Sequence, residues 1–258
     1  MKRIGTALAA FGFLVATGTV AKAAPIVFVG SSGALAASAS FEQTGTTLTV
    51  TLTNTAAGDV TDPAGVLTAL FFDIAGAGPL TPVSALLNVG STVVYDAQGQ
   101  PPGGNVGGEW AYGAGLAGAP GLATEGISSS GFGVFGTSNF IGPELAGPPN
   151  NALDGPQYGV LSAGDDILTG AGGSILNGGG LIKNSVIFKL AGLPAGFILD
   201  AGDFSHVSFQ YGTGLDEPNV PGTNPTGDNP TESPEPASLI LLGSGLTGVA
   251  MKLRRRKS

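Results

Sequence analysis

The sequence predicts an all-β domain, an antiparallel β-sandwich or jelly-roll-like fold with long Gly/Pro-rich loops, and three observations carry that expectation. The first is "TTLTVTLTNT", where Leu48, Val50 and Leu52 alternate with Thr47, Thr49, Thr51 and Thr53. That is the period-2 pattern of a half-buried strand, in residue types that favour a pleated backbone. The second is punctuation: short apolar runs are separated by Gly, Pro, Asn and Asp clusters that read as turns, with no amphipathic helical stretch between them. The third is composition. With 45 Gly and 18 Pro in 258 residues the chain approaches low complexity, yet 42% of it is hydrophobic and only 11% charged. A disordered chain shows the opposite balance, so these residues predict a folded, loop-rich domain.

The strand candidates, in chain order, are "PIVFVG", "ALAASASFE", the Thr-rich run, "VLTALFFDI", "STVVYDA", "SVIFKL" and "HVSFQYG". They place the domain at residues 24–214, with Leu48, Val50, Leu52, Phe71, Ile187 and Phe209 in its core. Gly99 to Pro156 forms a long loop region rich in small residues. Within it Trp110, the only Trp, is either an anchor packed on the sheet or an exposed platform for stacking a sugar. From Leu215 to residue 233 the chain turns to Pro, Asn, Thr and acids without apolar periodicity, which reads as an extended linker.

Charge excludes one class of partner. Between the basic ends only Lys183 and Lys189 stand against 18 acids, a formal charge of −16. Nucleic-acid binding needs a basic footprint, so nucleic acid is excluded as a partner. The absence of Cys removes disulfides, thiolate metal sites and Cys nucleophiles.

Both ends read as addresses. Lys2 and Arg3, an apolar stretch from Ile4 to Val20, and the small-x-small site Ala21-Lys22-Ala23 follow the plan of a secretory signal peptide over residues 1–23. That plan implies the Sec export machinery and a mature start near Ala24. At the other end Ala237 to Met251 is apolar but would rise only about 22 Å as a helix, against about 30 Å of hydrocarbon. Arg254, Arg255, Arg256 and Lys257 would keep the terminus cytoplasmic, halting the chain in the inner membrane with its domain outside.

Pro234-Glu235-Pro236, the following Ala237-Ser238-Leu239, an oily Gly-containing helix and a terminal Arg cluster resemble the PEP-CTERM sorting signal. The resemblance covers residues 234–258. It implies export in a Gram-negative bacterium, cleavage near Pro234-Glu235-Pro236 by an exosortase-like membrane protease, and delivery to the cell surface or the exopolysaccharide matrix. More weakly, "GGEWAY" and the two "QYG" turns are similar to small exosortase-dependent surface proteins.

Chemistry is less legible. "AGDDILTGAGG" resembles one nonapeptide of the calcium-binding β-roll, which makes Asp165 and Asp166 the candidate Ca²⁺ ligands, against the plainer reading of an acidic Gly turn. Glu109, Glu125, Glu144, Asp165 and Asp166 are the carboxylates available to a glycosidase, and His206 the only base available to a triad. "GAGLAG" and "GSGLTG" match a dinucleotide fingerprint without its strand-then-helix setting. The Thr row resembles some ice-binding surfaces, although an ice plane needs parallel rows. The expectation is therefore a non-enzymatic, exosortase-processed surface or matrix protein associated with exopolysaccharide and biofilm, with no catalytic residues. A carbohydrate-binding module, with or without Ca²⁺, is the alternative, and a secreted glycoside-active enzyme the third reading.

Overall fold

A computed structural model describes residues 24–96, 99–145, 152–153, 155–170 and 179–226. It is mostly β, with no α-helix among the described residues and five short 3-10 turns. One sheet has five strands in the order β1 (Ile26–Ser32), β2 (Leu35–Thr44), β3 (Thr47–Asn54), β11 (Ser185–Ala191) and β5 (Thr81–Leu87), all antiparallel. The other has eight. Its main path runs β13 (Asn219–Pro221), β12 (Phe204–Tyr211), β4 (Leu67–Ile74), β9 (Val160–Leu161), β10 (Leu181–Lys183) and β6 (Thr92–Val94). The hairpin of β7 (Ala111–Ala114) and β8 (Glu125–Ser128) attaches to β4 through β8. The sheets are largely antiparallel; β9 and β10 run parallel.

The Thr-rich run does what its period predicts: Leu48, Val50, Leu52 and Asn54 turn inward while the threonines face out. Inward residues of both sheets form one core. Phe28, Phe41, Phe72 and Phe204 pack ring to ring in one part of it, and Trp110, Phe188 and Phe140 in another. Trp110 is fully buried and meets Phe188 edge-on, so it is a loop anchor and supplies no exposed sugar platform. Asn54 bridges the layers, its side-chain amide donating to the Val160 carbonyl at 2.9 Å.

One expected core position falls outside the core, and another lies in a second one. Ile187 pairs with Thr51 and is only half-buried, because in β11 it is Val186, Phe188 and Leu190 that point inward. With a period of two, a strand reading that is off by one residue exchanges the faces. Phe71 is fully buried, but on the outer face of its sheet, in a smaller core with Ala69, Ala111, Ala119, Ala123 and Phe135. The Gly-rich loops cover that face, which is why β4 is apolar on both sides and reads as a continuous run.

The stretch from Leu215 includes β13 as well as acidic loop. Asn219–Pro221 pairs with β12, Val220 is buried, and Thr223 bridges to Val29 of β1. Gln210 fixes the preceding turn by donating to the carbonyls of Tyr211, Gly214 and Glu217 at 3.0, 3.0 and 3.1 Å. A strand burying one side chain has no periodicity to read. The β5 run "TPVSALL" was hidden in a similar way by Pro82, which this sheet tolerates because β5 lies at its edge.

Glycine also permits close approach. A side chain at Gly107 or Gly108 would collide with the carbonyls of Ile141 or Pro143, so the "GGEW" backbone lies directly against the 141–143 segment. Gly108→Ala is expected to lower the unfolding free energy by about 1–3 kcal/mol, the usual cost of overpacking. Gly136→Ala, where an added Cβ meets nothing within 4 Å, should leave the urea midpoint nearly unchanged.

Candidate functional site

Two groups of acids in the described domain stand out by their contacts. The first lies where β4 ends beside β7, β8 and β12. Asp73 is half-buried: its Oδ1 accepts from the Thr124 amide at 2.7 Å and the Thr124 hydroxyl at 2.6 Å. Its Oδ2 lies 2.6 Å from His206 Nδ1. His206 is exposed and has a positive φ of 53°, at a bulge where the β12–β4 register shifts between Ser205 and Ser208. The bulge re-aims the imidazole onto Asp73, a common use of such irregularities. Burial alone would raise the Asp73 pKa, but the hydrogen bonds from Thr124 and His206 outweigh it and hold the carboxyl below its ordinary value.

Glu125 stands next in sequence but on the opposite face. It opposes Phe72 across the ladder, and only 8% of it is exposed. Its one hydrogen-bond donor is the Tyr112 hydroxyl at 3.0 Å, whose oxygen accepts in turn from the Leu80 amide at 3.2 Å. Burial pushes the Glu125 pKa up to about 7; the Tyr112 bond opposes this and the Asp73 charge adds to it. Burial likewise raises the Tyr112 phenol.

The second gathering contains Asp165 and Asp166, which turn apart. Asp165 is 1% exposed; its Oδ1 accepts from the Val60 amide at 2.8 Å and its Oδ2 is buried without a hydrogen-bond partner. Asp166 is exposed and its carboxylate accepts from the Leu168 amide at 2.9 Å. Asp59 ties the loop down, accepting from the Asp166 amide at 2.8 Å and the Thr169 hydroxyl at 2.6 Å. Those two bonds hold the Asp59 carboxyl below its ordinary pKa, with Lys183 adding to the effect. The Lys183 ammonium donates to the Asp165 carbonyl at 2.6 Å. Among the described residues no group of three or more His, Cys, Asp or Glu is arranged to hold a metal.

The other candidate glutamates lie at the β7–β8 hairpin and on the segment packed against its start. Glu109 is buried at the start of the β7–β8 hairpin and accepts from the Leu145 amide, whereas Glu125 lies at the hairpin's far end. Glu144 is half-buried in the segment over Gly108. "GAGLAG" spans the end of β7 and its turn, followed by a 3-10 turn and not by a helix. Among the described residues no Phe, Tyr or Trp is fully exposed; Tyr95, Phe132, Phe197 and Phe204 are half-buried. The Thr row faces outward beside Ser38, Ser40 and Glu42 of β2 and Ile187 and Lys189 of β11. A shallow groove of about 320 Å³ lies between the start of β2 and the 56–65 loop, with Asp59 and Asp62 on its wall.

Ala21, Ala23, Pro234, Glu235, Pro236, Arg254, Arg255, Arg256 and Lys257 lie outside the described residues. No family model, curated protein or solved structure matches the chain. Sequence reasoning missed the Asp73–His206 and Glu125–Tyr112 pairings, which join residues 133 and 13 positions apart. The sole signal was that His206 is the only histidine.

Lys183 is one of two cations in an acidic domain and braces the Asp165 loop. Lys183→Met should cost about 1–3 kcal/mol of unfolding free energy at pH 7, the range for a charge-assisted hydrogen bond. Lys189→Met, on an exposed side chain of β11, should cost about 0.5 kcal/mol or less. Chemical denaturation of both variants checks the difference.

Proposed function

We propose that this chain is an exported, non-enzymatic protein of the cell surface or extracellular matrix, associated with exopolysaccharide. The Sec machinery would carry it across the inner membrane, where residues 237–251 and the cluster Arg254, Arg255, Arg256 and Lys257 would hold it. An exosortase-like protease would then cut near Pro234-Glu235-Pro236 and free the β domain for the surface. The observation that carries this reading is the ordered C-terminal set: an extended Pro-Glu-Pro, a short small-residue-rich apolar segment and a basic terminus. The two prolines fix φ and exclude helix up to Ala237, leaving an extended strip of backbone that a protease can bind.

The domain's own features support a structural role. Asp165 engages the Val60 amide, Glu125 the Tyr112 hydroxyl and the half-buried Asp73 the His206 imidazole, and Trp110 serves the core. A sugar-binding module would need an exposed aromatic face, and a glycosidase a pair of facing carboxylates. The largely antiparallel two-sheet fold leaves a jelly-roll-like arrangement as the finer description we favour.

Mass spectrometry of the surface-extracted protein from its native host checks the reading. Mature chains should begin near Ala24 and lack everything after about Pro236. Glu235→Ala should leave export intact but stop release, so that full-length chain accumulates in the inner membrane. Surface protein retaining Ser258 would reduce the tail to a plain anchor.

A further inference from the structure

We propose that residues 115–124 form a strap over the outer apolar face of the eight-stranded sheet, latched by the proton on Glu125 and released when that carboxyl ionises. The strap joins β7 to β8, beginning after Ala114 and ending at Glu125, two residues paired across the hairpin. Beneath it lie Phe71, Ala69 and Phe135, onto which the strap packs its own Leu116, Ala119 and Ala123. Its attachments are few. Leu116 donates to the Thr124 carbonyl at 2.9 Å, and Thr124 holds Asp73 through its amide and hydroxyl. Glu125, at the strap's end, is the anchor sunk into the inter-sheet side beside Tyr112, Phe72 and Ile127.

That anchor is held differently in its two protonation states. From β7 it meets the Tyr112 hydroxyl; from β4 it meets the charge of Asp73, behind which His206 of β12 is hydrogen-bonded. No cation faces it. The two lysines of the domain lie on β10, bonded to the Asp165 carbonyl, and on the solvent side of β11. A neutral carboxyl keeps the Tyr112 donation and carries no buried charge. An ionised one has a single donor and a like charge nearby, and it regains hydration only by leaving. Its departure pulls on Thr124, the adjacent residue, and so on the strap's main tie to Asp73.

The direction of the pH effect follows. The closed strap holds Glu125 at a pKa of about 7 against an ordinary 4.5. The closed form therefore binds the proton more tightly than the open form. Its advantage is complete below the ordinary value and is lost as pH rises through about 7. If the open strap restores an ordinary pKa, the open:closed ratio changes by up to about 300-fold across that window.

Amide hydrogen exchange on the full chain in mild detergent, at pH 5 and pH 8.5 and corrected for intrinsic rates, tests this. Leu116, Ala123 and Thr124 amides should lose up to about 75-fold of their protection at the higher pH, while β2 and β3 keep theirs. Glu125→Gln, isosteric and neutral, should keep the strap protected at both. Equal wild-type protection at the two pH values, or a pH dependence that survives Glu125→Gln, overturns the proposal. If that variant does not fold, Tyr112→Phe serves: it removes the ionised carboxylate's donor, so the protection lost between pH 5 and pH 8.5 should exceed that lost by the wild type. A loss equal to or smaller than the wild type's overturns the proposal.

Discussion

Everything in this domain depends on the apolar contact between two sheets, and that contact depends on strand parity. Leu48, Val50 and Leu52 of β3 and Val186, Phe188 and Leu190 of β11 face Phe72, Phe209 and the other inward residues of the opposite sheet. A one-residue slip in either strand would bring threonines or Lys189 into this layer. Register is therefore fixed by burial itself. The aromatic rings and the Asn54–Val160 bond then choose one arrangement of the two layers among those that merely bury apolar area.

The charge balance shapes the rest. With two lysines and a single histidine available, the described carboxylates are stabilised mainly by backbone amides and hydroxyls: Asp59 by Asp166 and Thr169, Asp73 by Thr124, Asp165 by Val60. These partners lower the cost of a carboxylate without adding positive charge. Glu125 has the poorest provision among the carboxylates with a shifted pKa, one phenol, and it is the one pushed towards neutrality. A net acidic domain of this kind repels other acidic chains.

Most strong strands were legible because their side chains alternate or run apolar over six or more residues: all seven strand candidates overlap a strand of the structure, although "STVVYDA" holds only the three-residue β6. What stayed hidden is short or is stabilised from afar. β7, β8, β9, β10 and β13 have two to four residues each, too few for a period, and exist because a neighbour offers an edge: β4 to β8 and β9, β12 to β13, β8 to β7, and β6 and β9 to β10. The Gly-rich region read as loop is in part a cover for Phe71, and its glycines allow backbone to lie on backbone. Of the acids, Asp165 and Asp166 were found by motif, yet the loop directs them to opposite tasks. The Asp73–His206 contact came from a bulge, and no local pattern announces which residue a bulge will turn.

If the inter-sheet contact is what holds the domain together, the two sheets must unfold as one. Native-state hydrogen exchange in low denaturant measures this directly, through the Val50 amide in β3 and the Phe209 amide in β12. Both should report the same opening free energy, and Phe188→Ala should lower both together by about 3–5 kcal/mol, as expected for truncating a fully buried ring. Separate opening energies for the two strands, or a Phe188→Ala effect confined to β3 and its neighbours, would contradict the account.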